Sequence, residues 1–285
     1  MQHLSDAERA DFWRDGYVLV ENAVSPNELA QLQSEFDGWV EESRDHDEPW
    51  GNIVDGRPRF DIEGGHTSQR PALRRVNCPT EISAAYDSVM SASRVPTLIA
   101  DLVGENVKFH HSKINSKLPG TTTNVKWHQD FPFTPHSNDD LVTALIFVDE
   151  VTDANGPLQV LAGSHRGPLL DLWHDGRFTG AIEASAETEL IGQSQMCTGP
   201  AGSVCLMHTR LLHGSTANHS TRARTLFICV YSAEDAIPLS PNPLPSTHEG
   251  RIVHGERTGR VRCVANELPL PQLPTTASFF AQQAG

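Results

Sequence analysis

The polar and apolar positions of the first forty residues describe two helices around one strand. Ser5-Asp6-Ala7-Glu8 has the form of a capping box, in which the hydroxyl accepts from the third helical N–H and the glutamate reaches back. Gly16 offers a left-handed stop, so a helix is expected between them. Tyr17–Val20 is a β-branched and aromatic run and reads as a short strand. Ser25-Pro26-Asn27-Glu28 repeats the capping box with proline at the first helical position. Leu29, Leu32, Phe36 and Trp39 then recur at helical spacing and predict one buried stripe. Residues 44 to 75 are charged, glycine-rich and without period, which predicts a long loop and a candidate lid. Two further helices are expected around Glu81–Met90 and Pro96–Leu102, the second stopped by Gly104.

At Val107 the pattern changes. Short β-type runs alternate with turns: Val107–Asn115, Asn124–Trp127, Leu141–Val148, Leu158–Leu161, Ser203–Met207 and Thr225–Tyr231. Many short strands with glycine and proline punctuation indicate a sandwich or barrel. No internal repeat or low-complexity tract is present, and the proline-rich tail after Pro238 reads as surface packing. The expected organisation is one domain over residues 1–285: a helical part to about 104, a β core over about 105–235 and an extension over 236–285.

Composition narrows the class. Hydrophobic residues make up 38% and charged residues 20%, with 21 Gly and 19 Pro, as suits a loop-rich β protein. The net charge of −14, with no Lys/Arg block, argues against nucleic acid as a partner. No apolar run approaches the ~18 residues of a membrane-crossing helix, so no membrane partner is expected. The start has neither a basic stretch nor an apolar core, so no secretory leader is expected. Five cysteines without CxxC spacing read as mostly buried free thiols, and a cytoplasmic location follows as the expectation.

Candidate chemistry begins where a strand leaves for a loop at Trp127-His128-Gln129-Asp130. Residues i and i+2 of an extended segment share a face, so His128 and Asp130 can grip one ion. A third ligand must come from elsewhere. His213 lies just past the apolar strand Ser203–Met207. His208, inside that strand, reads as a packed core histidine, and His219, in the polar stretch Ala217–Arg222, as exposed. His110-His111 reads as a surface pair without a role. Two imidazoles and a carboxylate on one face of an octahedron leave three positions, two for a 2-oxo acid and one for O2. The distal carboxylate of such a co-substrate needs a partner, and a guanidinium gives two parallel hydrogen bonds. Arg224 is placed for this, with Ser215 beside it; Arg222 reads as a solvated turn residue. Two alternatives stand. A metal-bound jelly roll of other chemistry, such as an isomerase or zinc hydrolase, would need no distal arginine, and a binding module would need no intact triad.

His128-Gln129-Asp130, the run Asn155-Gly156-Pro157-Leu158-Gln159-Val160-Leu161-Ala162-Gly163-Ser164-His165, His213-Gly214-Ser215 with Asn218 and Arg224, and the opening Phe12-Trp13-Arg14-Asp15-Gly16-Tyr17-Val18 together resemble the phytanoyl-CoA dioxygenase family. The resemblance runs from about residue 4 to 232. It implies a mainly β fold with a double-stranded β-helix (jelly-roll, cupin-like) core and flanking α-helices. It also implies Fe(II) on His128, Asp130 and His213, with 2-oxoglutarate on Arg224 and Ser215. The position of a further co-substrate contact of the family falls on Lys113, and that of a family tryptophan on Ile146, which does not carry the contact. The implied reaction consumes O2 and 2-oxoglutarate, releases succinate and CO2, and oxidises a substrate C–H bond. Asp130 points to hydroxylation, since halide-transferring relatives lose this carboxylate. Trp127, Phe131, Phe133 and His136 bracket the metal motif and are candidates for the substrate wall, with Arg75 or Arg74 as a cationic anchor. The expected substrate is a small or medium-sized, partly apolar and anionic organic molecule.

Overall fold

A computed structural model describes residues 3–183 and 192–264. Both capping boxes form: Ser5 opens α1 (Asp6–Asp15), which ends on Gly16 in the left-handed region, and Ser25 opens α2 (Pro26–Glu42). Between them lies β1 (Tyr17–Val20). Leu32 and Phe36 of α2 are buried, with Leu29 and Trp39 half-buried beside them.

The expected loop over 44–75 is instead mostly sheet. β2 (Trp50–Val54), β3 (Arg57–Ile62) and β4 (Leu73–Asn77) form an antiparallel meander. Val54 pairs with Arg57 across Asp55-Gly56, whose φ values of 50° and 76° are those of a type I′ hairpin. The strands escape a hydrophobicity reading because their inner face is charged. Phe60, Ile62 and Val76 pack into the core, while Arg57, Arg59, Asp61 and Arg75 are buried on the other side. The helix expected near Glu81 begins later, as α3 (Ala84–Ala92), and α4 (Val95–Val103) follows.

The remaining strands are β5 (Val107–Lys117), β6 (Val125–His128), β7 (Leu141–Phe147), β8 (Leu158–Val160), β9 (Trp173–His174), β10 (Arg177–Phe178), β11 (Gln195–Cys197), β12 (Val204–His208), β13 (His213–Ser215), β14 (Arg224–Ala233) and β15 (Ile252–His254). The main sheet runs β1-β12-β7-β14-β5-β4-β3-β2, with β15 on β5, and a smaller sheet runs β11-β8-β13-β6. All these pairings are antiparallel. The middle of the main sheet, β12, β7 and β14, is buried on both faces. Ala144, Ile146, Leu206, Phe227 and Tyr231 pack against the helices. Leu145, Phe147, Met207, Leu226 and Ile228 face Leu158 and Val160 of the smaller sheet. The fold is mainly β: a jelly roll whose outer face is covered by helices.

The tail does more than coat the surface. β15 extends β5, Leu244 is buried with Val54 and Cys78, and Ser137 donates to the Arg262 carbonyl. The end of the expected extension, 265–285, and residues 184–191 lie outside the described residues. Cys78, Cys197, Cys205 and Cys229 are buried free thiols and Cys263 is exposed. His110 and His111, read as a surface pair, are both buried. Among the described residues no helix is long and apolar enough to cross a membrane.

Candidate active site

β6 and β13 are neighbours in the smaller sheet, and His128 pairs directly with His213. This register brings together two residues distant in sequence, with ring centroids 4.3 Å apart. Asp130, just past the end of β6, completes the group: its Oδ1 lies 3.5 Å from His128 Nε2 and 3.7 Å from His213 Nε2. Each imidazole is fixed from behind. His128 Nδ1 lies 2.8 Å from the Lys126 carbonyl and His213 Nδ1 lies 2.9 Å from that of Leu211. A carbonyl only accepts, so each Nδ1 carries a proton and each Nε2 is the ring atom turned to the centre, free to present a lone pair to a metal ion. Thr143 donates to Asp130 Oδ2 at 2.7 Å, which leaves Oδ1 for the same centre.

Burial lowers His213 to about 4, keeping it neutral. For Asp130 burial acts in the opposite sense, but His213, His128 and Lys113 outweigh it and hold the carboxyl well below its ordinary range. Two imidazole nitrogens and one carboxylate within 4.8 Å of one another form a donor set that suits a divalent ion. Gln129, between the ligands, points away; it donates to the Arg210 carbonyl at 2.8 Å and accepts from Leu170 N–H at 2.8 Å. His208 packs against Phe12, Trp13 and His165, and His219 is exposed, so neither joins the group.

A cavity of about 680 Å3, counting its open mouth, runs from this triad between the sheets to Arg224. Leu145, Met207, Leu226 and Ile228 give it apolar walls. At the far end Arg224 and Lys117 face each other across β14 and β5. Arg224 Nε and Nη2 donate to the Gly156 carbonyl at 2.9 and 2.7 Å. Lys117 Nζ donates to Ser215 Oγ at 2.7 Å and to the Thr216 carbonyl. Burial lowers Arg224 to about 10, and burial together with Arg224 lowers Lys117 to about 5. Gly156 makes this packing possible: at φ +80°, a Cβ there would stand 2.7 Å from the Thr216 carbonyl and 3.0 Å from Lys117 Cδ.

No local sequence pattern singles out Lys117, although alternation along β5 puts it on the same face as Lys113. Lys113 also lines the cavity, but four residues away, ~13 Å along the strand. It sits at the Asp130 end and makes no contact with Ser215. Ile146 faces the helices, whereas its neighbours Leu145 and Thr143 face the cavity.

Of the residues expected to line a substrate wall, Phe133 alone stands against the triad, with its ring edge-on to His128 at 5.6 Å. Trp127 is buried with Leu172, Phe178 and Leu212, away from the cavity. Phe131 packs with Leu141, Ala233 and Ala236. His136 lies against His110, ring centroids 4.9 Å apart. Arg74 is paired with buried Asp61 at 2.7 Å. Arg75 belongs to β4 rather than to a lid; it lies beside Asn115 in register and donates to Asn77 Oδ1 at 2.9 Å. Arg222 is exposed and paired with Glu150.

A family model described as phytanoyl-CoA dioxygenase matches residues 12–226. The chain is 34% identical over 280 residues to a probable alpha-ketoglutarate-dependent hypophosphite dioxygenase of Stutzerimonas stutzeri, covering 97% of this chain and 94% of that one. It is 27% identical over 253 residues to an L-proline trans-4-hydroxylase of Streptomyces griseoviridis, covering 81% and 87%. Among solved structures, EctD from S. alaskensis with bound Fe shares the fold with a TM-score of 0.70 at 22% identity, covering 90% of this chain and 88% of that one. The motifs, the two-sheet core and the matched stretch agree, and the chain belongs to the phytanoyl-CoA dioxygenase family.

Proposed function

We propose that this chain is a single-domain Fe(II)- and 2-oxoglutarate-dependent dioxygenase that hydroxylates a C–H bond of a small molecule. His128 and His213 Nε2 and Asp130 Oδ1 would hold the iron. When bound, iron supplies the oxidising chemistry that O2 and 2-oxoglutarate drive, with succinate and CO2 released. The chain's own residues then bind and orient. The Lys126 and Leu211 carbonyls keep both rings in the tautomer a metal needs, and Thr143 aims the carboxylate. Arg224, Lys117 and Ser215 receive the distal carboxylate of 2-oxoglutarate, and the apolar walls between keep water from the reacting centre.

The observation that carries this reading is the pairing of a triad at one end of the cavity with a buried guanidinium and a buried amine at the other. An isomerase or hydrolase built on the same ligands has no use for the second feature. The relatives named above act on different small polar molecules, so the substrate does not transfer from any one of them. Anaerobic titration of the purified chain with Fe(II) and 2-oxoglutarate tests the proposal. One iron per chain and a visible absorption band that needs both additions are expected. A chain that binds iron but never yields that band, nor turns 2-oxoglutarate into succinate, is not this enzyme.

A further inference from the structure

β6 is an edge strand of the smaller sheet, so among the described residues no further strand of that sheet closes the sandwich beside it. The loop 118–124 lies there instead. It joins Lys117 of the co-substrate clamp to β6, the strand that carries His128. Leu118 at its start packs into the core. Thr121 and Thr123 are buried whereas Thr122 and Asn124 are exposed, and Thr123 lines the cavity. A single layer of chain thus separates the cavity from solvent at this point.

Two side chains of the segment between β3 and β4 tie this loop down. Glu63 is buried, and its Oε1 accepts from Thr122 N–H at 2.6 Å and from Thr122 Oγ1 at 2.7 Å. Its Oε2 accepts from Thr123 Oγ1 at 2.8 Å. Exposed Arg70 donates to the Gly120 carbonyl at 2.7 Å. The segment that offers these groups is itself anchored. Glu63 N–H donates to the Ala72 carbonyl at 2.9 Å. His66 Nδ1 accepts from Ala72 N–H at 2.8 Å, and its Nε2 donates to the Ser43 carbonyl at 2.9 Å. Arg44 donates to the Ser68 carbonyl at 2.6 Å, so the hold runs back to the end of α2.

Hydrogen bonds to a carboxylate are stronger than neutral ones, and three of them converge on Glu63, so the loop comes away only when all three break together. Glu63 is also the acid that pulls Lys117 up, against burial and Arg224. A role through that charge is therefore the rival to a role through the loop. We propose that Glu63 is a positioning residue for the co-substrate, latching the loop 118–124 over the clamp end of the cavity and so slowing the release of 2-oxoglutarate. The proposal rests on the dioxygenase reading above. The latch acts through Thr122 and Thr123, apart from the direct contacts assigned to Arg224, Lys117 and Ser215.

The test follows formation of the visible band when the anaerobic Fe(II) form of the full chain is mixed with rising 2-oxoglutarate. The slope of rate against concentration gives entry, and the intercept gives release. Glu63→Ala should raise the release rate about tenfold or more. Glu63→Gln should stay within about threefold of wild type, because its carbonyl still accepts from Thr122 and its NH2 can donate to the Thr123 hydroxyl. Iron affinity should stay within about twofold in both. With Thr122→Ala and Thr123→Ala already in place, Glu63→Ala should add less than about threefold. An unchanged release rate in Glu63→Ala, full additivity with the threonine changes, or a parallel fall in iron affinity overturns the latch. Equal effects of Glu63→Gln and Glu63→Ala overturn it as well, by placing the role in the charge beside Lys117. Should Glu63→Ala fail to fold, Arg70→Ala decides. Loss of this exposed side chain should speed release about two- to fivefold, and no change overturns the latch. A wild-type chain that never forms the band refutes the dioxygenase reading itself, a failure visible before any variant is made.

Discussion

Lys117 Nζ reaches Ser215 Oγ at 2.7 Å, directly across the strands from Arg224. A lysine lowered to about 5 is neutral at pH 7 in the empty pocket. A carboxylate arriving there draws a proton onto it. Between about pH 5 and the ordinary lysine value of ~10.4, binding of 2-oxoglutarate should therefore take up close to one proton. Over that window affinity falls as pH rises. Calorimetry in buffers of different ionisation enthalpy measures the uptake, and Lys117→Met should abolish it. Binding without proton exchange in the wild type would mean that the lysine is already charged or stands apart.

The triad has no spare ligand. His128→Ala, Asp130→Ala and His213→Ala should each remove nearly all turnover, and Thr143→Val should weaken iron binding by roughly 10- to 100-fold by releasing the Asp130 carboxylate. Iron affinity and succinate production are the measurements. Full turnover in His213→Ala together with its loss in His208→Ala would move the third ligand to the histidine that packs on α1.

The two arginines near the clamp should separate cleanly. Arg224→Ala removes a buried cation and should raise half-saturation for 2-oxoglutarate by one to two orders of magnitude, on the order of 2–3 kcal/mol. Arg222→Ala loses only an exposed pair with Glu150 and should change it by less than about twofold. Equal effects in both variants would detach the clamp from Arg224.

Gly156→Ala should damage fold and clamp together. The added methyl meets the Thr216 carbonyl, an acceptor for Lys117, at 2.7 Å at a φ of +80°, and a shift of residue 156 in response moves its own carbonyl, the acceptor for Arg224. A loss of ~1–3 kcal/mol in unfolding stability and a weaker hold on 2-oxoglutarate are expected. Chemical denaturation and a 2-oxoglutarate titration read the two effects separately. Unchanged stability would show that the loop relaxes freely.

Phe133 stands edge-on to His128 and is the aromatic placed to touch a substrate. Phe133→Ala should lower coupled product more than succinate formed without substrate. A parallel fall of both would place this ring in support of the ligand rather than of the substrate.

Much of this was legible from residues alone. Capping boxes, alternation and the HxD spacing are local patterns, and Ser5, Ser25, His128 and Asp130 are where they indicate. What failed were patterns in which burial is polar. Over β3 and β4 the sequence pattern suggests a loop because Arg57, Arg59, Asp61 and Arg75 look solvated, although Asp55-Gly56 is a strong hairpin signal. Trp127 and Phe131 flank the motif in sequence, yet pack into separate apolar clusters outside the cavity. Lys117 was invisible because its meaning depends on Arg224, Ser215 and Gly156, three segments that only the fold brings together.

The Thr143 bond to Asp130 has a mechanical consequence. Both imidazoles hang from the smaller sheet, while the carboxylate is steadied from β7 of the main sheet. An ion gripped by all three would therefore tie the two sheets together like a rivet. Its removal would leave the Thr143 bond as the link between the Asp130 carboxylate and the main sheet, so the seam between the two sheets would loosen beside the triad.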